Sequence, residues 1–317
     1  MSAEKQIVPI PGEYAGLRLD QALARMFPDY SRSRLKEWLL SGAIAVEGRA
    51  KRPRDAVFGG EMVTFKPVAE TSVTAEAEPI SLNIVYEDED LLVVNKDVGL
   101  VVHPGAGNPT GTLMNGLLHH VPALEEIPRA GIIHRLDKDT SGLLLVAKTL
   151  IAHTALVRLL ADREIARHYL AICNGVLTGG GTIREPISRH PVDRKRMSVQ
   201  QGGKAAVTHY TVRERFAAHT YVDVKLDTGR THQIRVHFAH RRHSLVGDQT
   251  YGGRLALPKG ASEGLIQALR HFKRQALHAT RLAFLHPVSG AAIDLEVAPP
   301  ADFESLVQIL REDNIGE

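Results

Sequence analysis

Two helices are predicted near the start of the chain, because apolar residues recur there at spacings of three and four. Their apolar stripes are Leu19, Leu23 and Met26, and then Leu35, Trp38 and Leu39. Pro28 closely follows the first stripe, Ser31 is suited to cap the second helix, and Gly42 is suited to end it. This part of the chain therefore begins as a helix pair.

Two short strands are predicted after the helices. The segment AIAVEGRA, residues 43–50, is typical of a strand followed by a turn at Glu47 and Gly48. A further strand is predicted at Glu61–Phe65. Residues 17–66 are therefore interpreted as a small α/β module.

The long C-terminal part mixes short β-rich runs with a few helical patterns. IVYEDEDLLVVNK indicates two strands around an acidic turn, LLLVAK a buried strand, and AHTALVRLLA a helix. Val222, Val224 and Leu226 alternate in YVDVKLDTG, which predicts a strand with one buried face. A final helix is predicted after Pro300, capped by Asp302, with Phe303, Leu306 and Leu310 on its apolar side.

Residues 67–82 divide the two parts. The segment contains three glutamates, two prolines and no basic residue, which is typical of an extended linker. We therefore expect an N-terminal extension at 1–16, a module at 17–66, an acidic linker at 67–82 and a large domain at 83–317.

Charge is concentrated in the small module. The whole chain of 317 residues carries a net charge of +3, yet residues 17–66 contain ten basic and six acidic residues, an excess of +4. Such a patch attracts phosphates, although it is also compatible with an ordinary solvated face. Cys173 is the only cysteine, which excludes an internal disulfide and a cysteine-based zinc site. No signal peptide or membrane-spanning run is recognised, so we expect a cytoplasmic protein with no membrane partner.

Candidate chemistry begins in GIIHRLDKDTSGLLLVAK, residues 131–148, where ionisable groups lie between two apolar runs. A polar loop held between buried strands can fix a catalytic group. Asp137 and Asp139 can each act as nucleophile or base. The local chemistry alone favours a simpler interpretation, in which both carboxylates cap a turn.

A second polar segment, LDTGRTHQIRVHFAH at residues 226–240, contains Arg230 and Arg235. We favour a helix there, capped by Thr231 with Ile234 and Phe238 facing the core, over a strand. Arg235 lies among apolar neighbours, and a half-buried arginine normally has an anionic partner. Asp137 is a candidate for that partner.

Two further candidates concern histidine and tyrosine side chains. The histidines within residues 232–243 lack the ligand spacing of a zinc signature, so no metal site is expected. Tyr169 lies in a predicted strand within REIARHYLAICNG. It is either a core aromatic residue or a ring on which a base or sugar packs.

Taken together, these segments resemble the pseudouridine synthase family. The family signature HRLDxxTSG matches His134 to Gly142, its tyrosine motif matches Arg167 and Tyr169, and GRTHQIRVH matches Gly229 to His237. GLVVHPG at 99–105 and RQALHA at 274–279 are also similar to family motifs. Residues 17–66 resemble the alpha-L RNA-binding domain of small-subunit ribosomal protein four.

The resemblance implies an α+β fold with a mixed, mainly antiparallel catalytic sheet and a small N-terminal α/β domain of alpha-L type. It implies a monomeric enzyme that needs no cofactor and isomerises uridine in structured RNA. The expected target is large-subunit ribosomal RNA. The catalytic residues would be Asp137, Tyr169 and Arg235. The residues expected to contact RNA are Arg135, His134, Arg32, Arg34, Lys36, Arg49, Lys51, Arg52 and Arg230. Asp97, Arg242 and Ser244 depart from the usual family pattern, which affects target choice more than chemistry.

Three alternatives remain open from the sequence. The target could be transfer RNA instead of ribosomal RNA. The protein could bind RNA without catalysis, since both interpretations predict salt-sensitive binding. It could also be an RNA glycosidase, although a second carboxylate would then have to activate water and nothing singles out Asp139 for that role.

Overall fold

The computed structural model of the protein describes residues 6–27, 32–65, 75–105, 107–193, 195–255 and 257–315. The chain divides into two compact units, Met1–Thr71 and Ser72–Glu317, which we call the N-terminal unit and the C-terminal unit. The predicted cap Ser31 and the residue Pro28 lie outside the described residues, as do position 66 of the predicted module and positions 67–74 of the predicted linker.

The N-terminal unit packs two helices against a small antiparallel sheet with strand order β1-β3-β2. Its elements are β1 (Gln6–Pro9), α1 (Leu19–Met26), α2 (Arg32–Ser41), β2 (Ile44–Val46) and β3 (Met62–Phe65), with a 3-10 turn at Gly12–Tyr14. Phe65 of β3 joins the helices to the sheet, because its ring centroid lies 4.9 Å from that of Phe27 and 5.1 Å from that of Trp38. The predicted helix pair and strands are confirmed.

Turn residues in this unit follow the sequence pattern. Gly42 follows α2 with φ of 80°, a conformation that a glycine adopts without steric cost. Glu47 and Gly48 both have positive φ, 51° and 69°, which suits the tight turn between strands. The predicted helix end at Gly42 and the predicted turn at Glu47 and Gly48 are therefore confirmed.

The N-terminal boundary differs from the prediction. Residues 1–16 were expected to precede the module, yet Gln6–Pro9 pairs with Met62–Phe65 as an edge strand. Ile10 is 1% exposed within the same core. The sequence does not indicate this strand, because two neighbouring apolar residues, Ile7 and Val8, are both exposed and apolar and polar residues do not alternate.

The C-terminal unit is built on a large sheet. Its strands are β4 (Ile84–Glu87), β5 (Leu91–Lys96), β6 (Ser141–Ala147), β7 (Ala166–Asn174), β8 (Gly181–Arg184), β9 (Ile187–Arg189), β10 (Met197–Val199), β11 (Val207–Arg215), β12 (His219–Leu226), β13 (Leu277–Leu285) and β14 (Ala292–Glu296). Its helices are α3 (Leu113–His120), α4 (Leu150–Ala161), α5 (Gln233–His240), α6 (Glu263–His271) and α7 (Ala301–Ile315), with 3-10 turns at Pro122–Glu126 and Pro128–Gly131.

The large sheet has nine strands in the order β4-β5-β6-β13-β7-β12-β11-β8, with β14 paired to β13. Its described pairs are antiparallel except β13 with β6, which run parallel through His278 opposite Ser141. Strands β9 and β10 form a separate hairpin. The predicted mixed, mainly antiparallel sheet is confirmed.

Strand β7 separates two layers of the core. Tyr169 and Ala171 face a cluster that includes Ile234 and Phe238 of α5. Leu170 and the residues alternating with it face α6 and α7 on the opposite side. Helix α5 and helix α7 therefore lie on opposite faces of the sheet at this point.

Two details of the C-terminal unit correct the sequence interpretation. Helix α7 begins at Ala301, so Asp302 lies inside its first turn, and Arg274 binds that carboxylate with N–O distances of 2.7 and 2.8 Å. The described part of the predicted linker, 75–82, packs on this unit: Glu78 accepts the Gly111 N–H, and Ile80 lies against Gly116. Across the described ranges, none of the helices has the length and apolar character that crossing a membrane requires.

Candidate active site

An open pocket of about 830 Å³ lies where three loop regions converge on β7. This volume falls within the range of about 300–1,000 Å³ that is usual for small-ligand sites. Six arginines and two aspartates line it: Arg129, Arg135, Arg163, Arg167, Arg230, Arg235, Asp137 and Asp227. The lining therefore favours an anionic ligand.

Asp137 lies in the loop before β6, and one backbone and one side-chain hydrogen bond fix that loop. The Thr140 N–H donates to the Asp137 carbonyl at 3.0 Å, and the Gln275 amide donates to the Thr140 hydroxyl at 2.9 Å. Gly142 follows with φ of 111°, and a Cβ there would collide with the Ala279 carbonyl of β13. The glycine thus lets β6 pair closely with β13.

Lys96, at the end of β5, ties the same loop to a neighbouring one. Its side chain is buried, and its ammonium donates to the carbonyls of Asp97, Leu100 and Lys138 at 2.7, 2.9 and 3.0 Å. Burial lowers the pKa of Lys96 to about 8, although Asp139, Asp137 and Asp97 oppose the shift. The lysine therefore joins the loop of residues 97–100 to the loop that carries Asp137.

Arg235 on α5 makes the ion pair that the sequence suggested. Its Nη1 donates to Asp137 Oδ2 at 2.8 Å. Its Nε and Nη2 donate to both oxygens of Asp248, at 2.7 and 2.9 Å, and the Asp248 side chain is 0% exposed. Burial opposes a charged Arg235, but hydrogen bonds and charges from Asp248 and Asp137 raise its pKa above the ordinary value. One guanidinium is therefore held between two carboxylates.

His232 and Tyr251 lie on the other side of Asp137. The His232 Nε2 is 3.8 Å from Asp137 Oδ1, and its Nδ1 is 2.8 Å from the Tyr251 hydroxyl. That hydroxyl also accepts the Met197 N–H at 2.9 Å. Burial lowers the pKa of His232, as do Arg235 and Arg135, despite Asp137. The imidazole thus lies between the Tyr251 hydroxyl and the Asp137 carboxylate.

Tyr169 and Arg167 extend from β7 toward the pocket. They alternate with Ala166, His168 and Leu170, so they share one face of the strand. Tyr169 is 6% exposed, and burial raises the pKa of its hydroxyl. That hydroxyl makes no hydrogen bond with the part of the chain that the structure describes. It is therefore available to a ligand.

The remaining predicted RNA contacts fall into two groups. In the C-terminal unit, Arg135 is exposed, Arg230 donates through Nε to the Ala205 carbonyl, and His134 accepts the Leu145 N–H through Nε2. All three line the pocket. In the N-terminal unit, Lys36, Arg49 and Arg52 are exposed and Lys51 is half-buried. Arg32 and Arg34 lie in α2, but their side chains lie outside the described part of the structure.

Helix α5 confirms the favoured interpretation of residues 226–240, with one correction. Ile234 and Phe238 are buried as predicted, but the helix is preceded by His232 instead of Thr231. His232 adopts a left-handed backbone, with φ of 56° and ψ of 22°. Gln233 closes the turn, because its side-chain carbonyl accepts the Arg230 N–H and the Thr228 hydroxyl. No group of metal-ligating residues occurs among the residues placed by the structure.

Comparisons with known proteins identify the family. Ribosomal large subunit pseudouridine synthase D of Xylella fastidiosa is 54% identical over 305 residues, covering 96% of this chain and 92% of that protein. The protein of the same name from Salmonella typhimurium is 56% identical over 299 residues, covering 94% and 92%. This chain belongs to the RNA pseudouridylate synthase family.

The family model, described as RNA pseudouridylate synthase, matches residues 90–240. A solved structure of human RNA pseudouridylate synthase domain containing 4 superposes with a TM-score of 0.56 at 25% identity, covering 72% of this chain and 93% of that one. Membership in the RNA pseudouridylate synthase family confirms the resemblance drawn from the HRLDxxTSG and GRTHQIRVH segments. The kinship of the N-terminal unit with alpha-L domains stays a prediction.

Sequence reasoning missed three residues of this candidate site. Asp248, Tyr251 and Lys96 contact the predicted residues or their loop. A buried arginine calls for anions, so Arg235 gave a reason to look for carboxylates. Asp137 is enough to pair with Arg235, and nothing in the spacing of the sequence indicates that a second carboxylate, Asp248, is buried beside it.

Proposed function

We propose that this chain converts uridine to pseudouridine in large-subunit ribosomal RNA, with Asp137 as the catalytic residue. The observation that carries the proposal is the Asp137–Arg235 pair at 2.8 Å, which opens onto an arginine-lined pocket. The reaction breaks the bond between uracil N1 and ribose C1′ and forms a bond from C5 to C1′. A proton is lost from C5 and one is gained at N1, so no redox cofactor is required.

The target uridine would leave its helical stack and enter the pocket, as in other enzymes that act on a base. Tyr169 would pack on the extruded nucleotide and offer its free hydroxyl. Arg135 is exposed at the pocket edge, where it would fill the vacated stack or hold phosphate. His134 and Arg230 would contact the RNA nearby. A closed complex would retain the freed uracil until it is rejoined to the ribose.

Asp137 would act as a carboxylate, either by attacking the nucleotide or by removing the proton at ribose C2′. Both routes require the ionised form. Arg235 supports that form because a nearby cation stabilises a carboxylate. The guanidinium binds Oδ2 and leaves Oδ1 facing His232 Nε2 at 3.8 Å. The same pair therefore provides charge and orientation.

We further propose that residues 17–66 act as an RNA-binding domain of alpha-L type and residues 83–317 as the catalytic domain of a cytoplasmic monomer. The basic residues of the first domain, Arg32, Arg34, Lys36, Arg49, Lys51 and Arg52, would bind RNA phosphates. The large-subunit target is supported by the names of the relatives that match almost the whole chain.

The test is pseudouridine mapping of ribosomal and transfer RNA from cells that lack the gene. We expect sites in large-subunit RNA to be lost, restored by the wild type and by Asp139→Asn, and not restored by Asp137→Asn. Asp139 is a matched control, because it is a half-buried carboxylate two residues away in the same loop. Loss confined to transfer RNA would overturn the target.

Purified protein with a transcript separates the remaining alternatives. Free uracil would indicate a glycosidase, and RNA binding without product would indicate a binding protein. Full activity of Asp137→Asn would contradict the assignment of the catalytic residue.

A further inference from the structure

Arg167 is a buried cation without an anionic partner. The residue is 5% exposed, and its Nε is buried with no hydrogen-bond partner. Its guanidinium also makes no ion pair with any carboxylate that the structure describes. Taking an unpaired charge out of water costs several kcal/mol, so proteins normally supply a partner.

The two carboxylates of the pocket are both committed elsewhere. Asp137 binds Arg235 at 2.8 Å, and Asp227 binds His209 at 2.9 Å. Arg167 lines the same pocket, on the same face of β7 as Tyr169. The missing anion would therefore enter from the pocket.

Gly229 makes room for the guanidinium. A Cβ at this position would lie 2.7 Å from Arg167 Nη1, closer than real contacts allow, whereas the glycine leaves the space open. The glycine does not have positive φ, so the backbone conformation does not explain it. The lack of a side chain at Gly229 thus accommodates the Arg167 guanidinium.

We propose that Arg167 binds a phosphate of the RNA substrate, at or next to the nucleotide that lies in the pocket. The phosphodiester oxygens would accept hydrogen bonds from the free N–H groups of the guanidinium, in the forked geometry that suits arginine. Arg163 and Arg230 line the same pocket and would add to the local positive charge. This inference rests on the proposed function, because it names a contact of the same substrate.

Binding measured over a salt series tests the contact, with an in vitro transcript of large-subunit ribosomal RNA as probe. We expect Arg167→Gln to weaken binding about 10- to 100-fold, the loss that one charge-assisted hydrogen-bonding group produces. We also expect the slope of log Kd against log salt to decrease by about 0.7 to 0.9, because one fewer phosphate is neutralised.

Arg311→Gln is the matched control. Arg311 is an exposed arginine on α7, on the face of the sheet opposite Tyr169, where it binds Glu214 at 2.8 Å. We expect its substitution to leave the slope unchanged. Gly229→Ala is the second test variant, since it keeps every charge but displaces the Arg167 guanidinium. It should weaken binding in the same direction as Arg167→Gln.

Thermal melting without RNA separates binding from folding. Removing a buried charge that lacks a partner should leave the melting temperature of Arg167→Gln unchanged or higher. A large decrease would mean that Arg167 stabilises the fold, and would overturn the inference.

Two further results would count against the phosphate contact. An unchanged salt slope with slower turnover would assign Arg167 to the base or sugar. Unchanged binding and turnover would mean that Arg167 has no role in binding or converting the substrate. In both cases active wild-type enzyme would leave the proposed function standing, whereas a wild type that forms no pseudouridine would defeat that function itself.

Discussion

Asp248→Asn is the substitution that most directly tests how the Asp137–Arg235 pair is held. The Asp248 carboxylate is 0% exposed and accepts Arg235 Nε and Nη2 at 2.7 and 2.9 Å. It also accepts the Thr250 and Tyr251 N–H groups at 2.9 and 3.0 Å. The guanidinium and these N–H groups hold the pKa of Asp248 below its ordinary value against the effect of burial. The amide of the Asp248→Asn variant would carry no charge, and its NH2 group would face the Arg235 guanidinium or the backbone N–H groups, which are also donors.

The expected cost follows from the number and burial of these bonds. Removing one partner of a buried ion pair destabilises a protein by about 3–5 kcal/mol. Arg235 keeps Asp137 as a second partner, so we expect the lower end, about 3 kcal/mol. For a unit of this size that corresponds to a fall of roughly 6–12 °C in melting temperature. Turnover should fall about 100-fold, because Asp137 loses its fixed orientation.

The assay combines thermal melting with single-turnover pseudouridine formation well below the melting temperature. Asp302→Asn is the control, because Arg274 binds Asp302 with the same two-pronged geometry. Its side chain is 49% exposed, so solvent screening should make the loss of stability much smaller, and turnover should not change. A normal rate for folded Asp248→Asn would refute the idea that Asp248 orients the Asp137–Arg235 pair.

Three further predictions concern the same pocket. Tyr169→Phe should keep the melting temperature but slow single-turnover product formation, because the hydroxyl has no partner among the described residues; an unchanged rate would contradict a role for it. Tyr251→Phe should slow turnover without weakening RNA binding, since it removes the hydrogen-bond partner of His232 Nδ1; a normal rate would show that this hydrogen bond does not matter. Burial, with a contribution from a nearby arginine, lowers the pKa of His134 to about 3, while its Nε2 accepts the Leu145 N–H. As pH decreases, the unfolded chain therefore protonates this histidine before the folded chain does, which favours unfolding. The melting temperature should fall as pH decreases from about 6.5 toward 3, and less steeply in His134→Gln. Parallel curves for the two proteins would exclude His134 as a source of the pH dependence.

Much of the C-terminal unit could be predicted because its elements have strong local patterns. Val222 and Val224 alternate along β12, and the run around Leu144 is apolar enough to be a buried strand. Helix α5 was recognised through Ile234 and Phe238, although the residue that begins it was not. His232 takes a left-handed conformation that its sequence neighbourhood does not signal.

Contacts between distant segments explain what could not be predicted. The Arg235–Asp137 pair was suggested by the need of a buried arginine for an anion, and the two residues are in contact. Asp248 occurs in the polar sequence GDQTYGG, where an exposed turn would be the ordinary expectation. Its burial depends on packing against α5, which local sequence does not encode. Likewise, β1 finds its partner β3 across more than fifty residues.

The position of β13 within the sheet has a consequence for synthesis of the protein. Residues Leu277–Leu285 come late in the chain, yet they insert between β6 and β7 near the middle of the sheet. Until they emerge from the ribosome, β6 and β7 each expose an unpaired edge, and the Thr140–Gln275 bond that steadies the Asp137 loop cannot form. A nascent chain therefore carries Asp137 and Arg235 before the sheet beneath them is complete, and the candidate site cannot be assembled until residues Leu277–Leu285 have been synthesised.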